Sequence, residues 1–247
     1  MSYVFDFKDA LSYEKWYTYP DNKFIFDLEI RLMLDMLKPD KGRTVLDIGC
    51  GTGVAMLKFV DLGLQATGLD PSPYMLDIAL KNVNNRADLR RGFAESLPFG
   101  DNSFNYACLS TTIEFVENPK KALEEAFRVA KDKVFIGVLN RYALKGIQRR
   151  IRGIFIDSIY NHARFFSIWE LKQIIRSILG DVPVSWGTIY RFPFSGRIAS
   201  TLGRNNLSQK YPFGQFVGMV VIPVPRFRTI PLAIACPAKY TTITSPG

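Results

Sequence analysis

A glycine-rich turn constrains this chain more than any other feature, in the run VLDIGCGTG at 45–53. Its first residues predict a buried strand. The alternating glycines predict a sharp turn into a helix, since glycine tolerates positive φ and lets a ligand approach the backbone. Such turns bind nucleotides in doubly wound α/β folds. The spacing, Gly49-x-Gly51-x-Gly53, differs from the dinucleotide fingerprint, and Asp47 precedes it. A carboxylate there repels a pyrophosphate but suits a ligand that carries an ammonium group.

A second acid, Asp70, closes the next predicted strand in the run QATGLD. A carboxylate at this tip is placed to accept hydrogen bonds from both hydroxyls of a ribose. Together the two stretches resemble the first motifs of the class I S-adenosylmethionine-dependent methyltransferases, whose cofactor has an ammonium group, a ribose and an adenine but no phosphate. A generic turn with another nucleotide, or with none, is the plainer interpretation. The combined placement of Asp47 and Asp70 favours the methyltransferase.

The segment after the third predicted strand extends the resemblance. Residues 92–99 read GFAESLPF, similar to a turn that surrounds the adenine in the type 11 group of class I methyltransferases. Ala94 and Glu95 match the family pattern, whereas Phe93 replaces its usual acid, so adenine recognition is expected to rest on the backbone at Ala94. The plainer interpretation is a tight turn with a surface glutamate. The resemblance covers residues 43–140.

The resemblance implies a cofactor site built from the N-terminal helix, the first strand, the turns after it and the end of strand four. Its predicted members are Tyr17, Asp47, Gly49, Cys50, Gly51, Gly53, Asp70, Pro71, Ala94, Glu95 and Ser110. Tyr17 is expected to bond the cofactor's carboxylate, and Ser110 to offer its carbonyl near the methionine end. No catalytic residue is assigned, because a methyl group on a sulfonium is already activated. The single histidine, His162, is interpreted as structural.

The 247 residues are enough for one α/β domain with a large core. Alternating strands and helices in the first half predict a doubly wound sheet. The resemblance implies a Rossmann-like sheet of seven strands in the order 3-2-1-4-5-7-6, with strand 7 antiparallel and helices on both faces. Within this single domain, 1–247, we expect a helical cap at 1–40, a cofactor-binding core at 41–139 and a lid with the last strands and an insertion at 140–247. For strand 7, 230–238 is preferred to 213–223.

Basic residues recur near helical spacing after the core, which predicts an amphipathic helix over 141–152. It is open whether this helix is solvated, is a lid that binds an anionic substrate, or touches membrane or nucleic acid. A capping box is predicted to start a later helix, formed by Ser167 and Glu170.

Composition limits the compartment and the chemistry. Three cysteines far apart in the sequence suggest a reducing, cytoplasmic location and match no metal site, so no metal is expected. No apolar run reaches the ~20 residues of a membrane span. The net charge of +9 is compatible with an anionic partner but does not identify one.

The predicted function is transfer of a methyl group from S-adenosylmethionine to a small-molecule acceptor by in-line displacement. Anionic and lipophilic acceptors are both compatible with the sequence, and neither the acceptor atom nor the oligomeric state can be read from it. Two alternatives stay open. One is an RNA methyltransferase, suggested by the charge and by the basic helix. The other is a non-catalytic module that binds S-adenosylmethionine.

Overall fold

The computed structural model describes residues 2–143, 162–189 and 211–223. Within these ranges the strands are β1 Thr44–Ile48, β2 Gln65–Asp70, β3 Asp88–Arg91, β4 Phe104–Ser110, β5 Ala130–Leu139, β6 Val184–Ile189 and β7 Phe216–Val221. The helices there are α1 Phe7–Thr18, α2 Pro20–Leu37, α3 Val54–Asp61, α4 Pro73–Val83, α5 Pro119–Val129 and α6 Ile168–Leu179.

The seven strands form one sheet in the order β3-β2-β1-β4-β5-β7-β6, which confirms the predicted topology. Strands β1 to β5 pair in parallel, and β7 lies antiparallel between β5 and β6. In such a sheet the order reverses between β1 and β4. The carboxyl ends of these two strands therefore form the crevice where ligands bind.

The preference for 230–238 as strand 7 was wrong. Strand β7 is Phe216–Val221, inside the alternative range 213–223, whereas 230–238 lies outside the described residues. Every residue of β7 is buried, because the strand is enclosed by two neighbours and by side chains on both faces. The continuous apolar run FVGMVV is typical of such a strand.

Local signals in the sequence mark the ends of the helices. Helix α2 ends before Pro39, and Ser72 caps α4 by accepting a hydrogen bond from the N–H of Met75 at 3.2 Å. Ser167 caps α6 in the same way, through the N–H of Glu170 at 3.2 Å. The capping box predicted there is only half formed, because the Glu170 carboxylate forms ion pairs with two arginines.

Two apolar layers cover the sheet. Helices α2, α3 and α4 pack on one face, and α5 and α6 on the other. Of the predicted basic helix, only the short 3₁₀ turn Arg141–Ala143 falls within the described residues, and 144–152 lies outside them. No helix in the described part of the chain has both the length and the apolarity to cross a bilayer.

Candidate cofactor site

The predicted glycine-rich turn lies at the carboxyl end of β1, above the centre of the sheet. The N–H groups of Gly49 and Cys50 both donate to the carbonyl of Leu69, at 2.7 and 3.1 Å, which fastens the turn to β2. Gly49, Gly51 and Gly53 have φ of +74°, +52° and +76°. These left-handed conformations are strained for any residue with a Cβ, which explains the glycines.

The three glycines differ in what surrounds them. A Cβ on Gly49 would collide with the side chain of Thr112, and one on Gly53 would come within 3.2 Å of Ala79. A Cβ on Gly51 would meet only Tyr13, at 3.7 Å. Gly49 and Gly53 therefore permit close packing within the protein, whereas Gly51 exposes its backbone to the space beneath helix α1.

Asp70 lies at the tip of β2 and is bonded to the glycine turn. Its Oδ2 accepts from the N–H of Gly51 and its Oδ1 accepts from the N–H of Ser72, each at 2.9 Å. Burial raises the pKa of Asp70, and these two hydrogen bonds oppose the rise. Each carboxylate oxygen can accept a further hydrogen bond.

Asp47 is a buried carboxylate with no partner among the described residues. The residue is 3% exposed, and no hydrogen bond or ion pair reaches its carboxylate within the described part of the chain. Burial raises its pKa to about 7, and the charge of Asp70 adds to the rise. An ionised carboxylate in such a place is costly unless a cation neutralises it. The site is therefore suited to a positively charged ligand.

Two tyrosines of α1 lie next to the turn. Tyr13 lies above Gly51, and the hydroxyl of Tyr17 donates to the hydroxyl of Tyr13 at 2.9 Å. Burial raises the pKa of Tyr13 to about 12, with contributions from the charges of Glu29, Asp47 and Asp70. The structure thus brings Tyr17 to the site through Tyr13, a residue that sequence reasoning missed. The i, i+4 spacing of the two tyrosines was the available signal.

The predicted adenine-side residues lie at the edge of the same crevice. Ala94 is buried in the core, whereas Phe93 is 49% exposed. Glu95 is engaged within the chain: its Oε1 accepts from the Oγ of Ser2 at 2.7 Å and from the N–H of Glu117 at 3.0 Å. Its Oε2 is buried and has no hydrogen-bond partner among the described residues, so one side-chain oxygen stays available to a ligand.

Two further predicted members have partners in the chain. The carbonyl of Pro71 accepts from Nε of Arg91 at 3.2 Å. The carbonyl of Ser110 accepts from Oγ1 of Thr112 at 3.3 Å, and that hydroxyl also donates to the carbonyl of Ile48 at 2.8 Å. Thr112, which the sequence did not single out, ties the ends of β1 and β4 together.

Cys50 is buried within the turn. Burial raises the pKa of its thiol well above the usual range, and the nearby charges of Asp47 and Asp70 add to the rise. The thiol is therefore neutral and unreactive at physiological pH. Among the residues described, no three His, Cys, Asp or Glu side chains lie together as a metal site would require.

The N-terminal segment runs across the carboxyl ends of the strands. The N–H of Tyr3 donates to the carbonyl of Phe115 at 2.8 Å, and Oγ of Ser72 donates to the carbonyl of Phe5 at 2.7 Å. Beside it is a cavity of about 390 Å³, lined by Ser2, Tyr3, Val4, Glu114, Phe115, Val116, His162 and Arg164. The ring of His162 stacks on Tyr3 at a centroid distance of 4.4 Å, in keeping with a structural role.

Comparisons with known proteins point to one family. A family model described as a methyltransferase domain matches residues 46–136. A crystal structure from Thermotoga maritima, titled an S-adenosylmethionine-dependent methyltransferase and possible histamine N-methyltransferase, is 29% identical, with a TM-score of 0.67 over 88% of this chain and 97% of that one. An uncharacterised protein of Methanocaldococcus jannaschii is 33% identical over 180 residues, 71% of this chain and 80% of that protein. The chain belongs to the class I S-adenosylmethionine-dependent methyltransferases, in the type 11 group.

A relative with a named enzymatic activity matches a smaller part of the chain. A demethylmenaquinone methyltransferase of Renibacterium salmoninarum is 40% identical over 101 residues. The match spans 41% of this methyltransferase and 42% of that enzyme. The shared part is therefore less than half of either chain.

The geometry of the turn fits S-adenosylmethionine, the cofactor of the family. The unpartnered carboxylate of Asp47 suits its ammonium group, and the free lone pairs of Asp70 suit its ribose hydroxyls. Nothing in the turn favours a phosphate, because two acids face the space that a phosphate would fill.

The open space at Gly51 predicts a separable effect of substitution. We expect Gly51→Ala to cost about 1 kcal/mol of unfolding free energy, from the positive φ alone. We expect its affinity for S-adenosylhomocysteine to fall at least about tenfold, because the methyl group fills space that the cofactor needs. Chemical denaturation and calorimetry measure the two quantities.

Gly42→Ala is the matched control, since Gly42 has φ +81° and no atom within 4 Å of a Cβ. Gly42→Ala should lose about as much stability as Gly51→Ala and keep the wild-type affinity for S-adenosylhomocysteine. Equal affinities in the two variants would mean that the cofactor does not approach Gly51.

Proposed function

We propose that this methyltransferase transfers the methyl group of S-adenosylmethionine to a small-molecule acceptor by in-line displacement. The observation that carries the proposal is the buried, unpartnered carboxylate of Asp47 beside Asp70 and the open backbone of Gly51. This arrangement suits a cationic nucleoside without phosphate. S-adenosylmethionine, when bound, supplies a methyl group whose leaving group is a neutral thioether.

The work left to the protein is binding, orientation and exclusion of water. In the proposed complex Asp47 holds the ammonium group, directly or through water, and Asp70 holds the ribose while it keeps its bond to Gly51. Tyr13 covers the turn from above. Transfer consumes the positive charge on sulfur, so a dry, enclosed site stabilises the transition state relative to the ground state.

The small size of the acceptor is supported by the segments that cover the crevice and by the relatives. The N-terminal segment and α1 cover the crevice and leave a cavity of about 390 Å³ beside it. Two similar proteins, a demethylmenaquinone methyltransferase and a possible histamine N-methyltransferase, are named for small acceptors. We also propose a cytoplasmic location, because Cys50 and Cys108 are free thiols and thiols stay reduced in the cytoplasm.

Calorimetry with S-adenosylhomocysteine and with adenosine diphosphate tests the cofactor assignment. We expect S-adenosylhomocysteine to bind with a dissociation constant on the order of micromolar. Adenosine diphosphate should give no heat, because its phosphates would face Asp47 and Asp70. No binding of S-adenosylhomocysteine, or equal binding of S-adenosylhomocysteine and adenosine diphosphate, would overturn the proposal.

A further inference from the structure

Helix α2 carries Glu29 to the edge of the sheet where the parallel strands end. The helix runs antiparallel to β5: Nζ of Lys133, near the start of the strand, donates to the carbonyl of Leu37 at 2.6 Å. One turn after Glu29, Leu32 lies against Gly218 in the middle of β7. At 1.5 Å per helical residue, Glu29 is therefore level with the carboxyl end of β5.

Glu114 reaches the same end of β5 from the loop after β4. Its Oε1 accepts from the N–H of Leu139, the last residue of β5, at 2.8 Å. The residue is 1% exposed, and its Oε2 is buried without a hydrogen-bond partner. Glu114 also lines the cavity of about 390 Å³ beside the cofactor crevice. One oxygen thus fixes the side chain to the sheet and leaves the other available to a ligand.

The two glutamates are close enough to influence each other. Burial raises the pKa of Glu29 to about 8, and the charge of Glu114 adds to the rise. Burial raises the pKa of Glu114 to about 8 as well. Across the described ranges 2–143, 162–189 and 211–223, no Lys or Arg forms an ion pair with either glutamate. Arg164 lines the same cavity, but its guanidinium is bound by Glu170 at 2.7 Å.

Tyr13 connects this acid pair with the cofactor turn. Its ring lies over Gly51, and the charges of Glu29, Asp47 and Asp70 all act on its hydroxyl. Glu29, Asp47 and Asp70 are therefore all near the hydroxyl of Tyr13. Ligands of such sheets bind at the carboxyl ends of the strands, so an acceptor beside the cofactor would meet both glutamates.

Two partly or fully buried carboxylates without a cation among the described residues are an expensive arrangement, and perturbed acids of this kind concentrate at functional sites. A cationic ligand would offset the cost, whereas an anionic one would increase it. We propose that Glu29 and Glu114 bind the protonated amine of the methyl acceptor, so that the enzyme is an amine N-methyltransferase. This inference rests on the proposed function and adds the class of acceptor to it.

The reaction balances with groups on the chain. The bound ammonium R–NH₃⁺ first gives one proton to the carboxylate of Glu114, which frees the lone pair of the nitrogen. The nitrogen–carbon bond then forms as the carbon–sulfur bond breaks, and the sulfur keeps the electron pair as a thioether. The product leaves as R–NH₂⁺–CH₃, and Glu114 returns its proton to water.

Methyl transfer to matched probes tests the proposal. The probes are 2-phenylethylamine, 2-phenylethanol and 3-phenylpropanoate, which share one skeleton, together with n-hexylamine, n-hexanol and hexanoate. With radiolabelled S-adenosylmethionine we expect label in the amines only. We expect Glu29→Gln and Glu114→Gln to lower kcat/KM for the amine at least about 30-fold, mainly through KM for the former, because a charge-assisted bond is lost.

Asp27→Asn is the control on the same helix, since Asp27 is exposed. It should leave kcat/KM within about twofold of wild type. Calorimetry with S-adenosylhomocysteine checks that each variant is folded and keeps its cofactor site. The inference would be overturned if label appeared in the alcohols or carboxylates instead of the amines, or if no amine were labelled. It would also be overturned if the two glutamine variants methylated the amine with the same kcat/KM as wild type. If the wild type binds S-adenosylhomocysteine, these results overturn the inference about the amine but not the proposed function. If the wild type does not bind S-adenosylhomocysteine, both the inference and the proposed function are overturned.

Discussion

Replacing Asp70 by alanine is expected to weaken binding of S-adenosylhomocysteine by at least about 100-fold. The proposed complex places two ribose hydroxyls on this carboxylate, and a hydrogen bond to a charged group contributes about 1.5–3 kcal/mol. The substitution also removes the acceptor from the N–H groups of Gly51 and Ser72, which holds the turn in its open form. The affinity measured by calorimetry should therefore fall because the ribose loses its hydrogen bonds and because the turn loses its support.

Stability must be measured in parallel, because unpaired buried donors cost about 1–3 kcal/mol each. Ser167→Ala is a suitable control: Ser167 caps α6, on the opposite face of the sheet from α2, and loss of a cap costs about 1 kcal/mol. That variant should lose stability and keep its affinity for S-adenosylhomocysteine. If Asp70→Ala binds as tightly as wild type, Asp70 does not hold the ribose.

The first half of the fold could be predicted because its signals are local. The strand before the glycine turn, the cap at Ser72 and the acid at the tip of β2 each depend on a few neighbouring residues. The family resemblance supplied the strand order, which single positions do not encode. Strand β7 was misplaced because two apolar runs competed, and only pairing with β5 and β6 distinguishes them.

The acid pair could not be found from the sequence for a different reason. Glu29 and Glu114 belong to a helix and a loop far apart in the chain, and each alone resembles a surface glutamate. Their meeting depends on how α2 packs along β5 and on the N–H of Leu139. Net charge was also a misleading guide: the chain is basic at +9, whereas the groups around the cofactor turn are acidic.

Asp47→Asn is expected to raise the stability of the protein and to lower its affinity for the cofactor. In wild type the folded-state pKa of Asp47 is raised from 3.8 to about 7, so its contribution to stability is fully present below pH 3.8 and is lost as the pH rises through 7. An asparagine does not ionise, so the variant does not lose this stability as the pH rises. We therefore expect the variant to gain stability relative to wild type between pH 4 and 7, reaching about 4 kcal/mol at pH 8. Urea denaturation across this range measures the difference.

Cofactor affinity should change in the opposite direction. The ammonium group binds the ionised form of Asp47, so wild-type affinity for S-adenosylhomocysteine should rise between pH 5.5 and 7.5, whereas Asp47→Asn should bind at least about tenfold more weakly at pH 7.5 with a flatter profile. Asp77→Asn, on the exposed side of α4, is the control and should match wild type in both measurements. A variant that is both more stable and equally tight would show that Asp47 is buried for reasons other than the cofactor. A more stable protein that no longer binds would identify the desolvated carboxylate as a group kept for binding at the expense of stability.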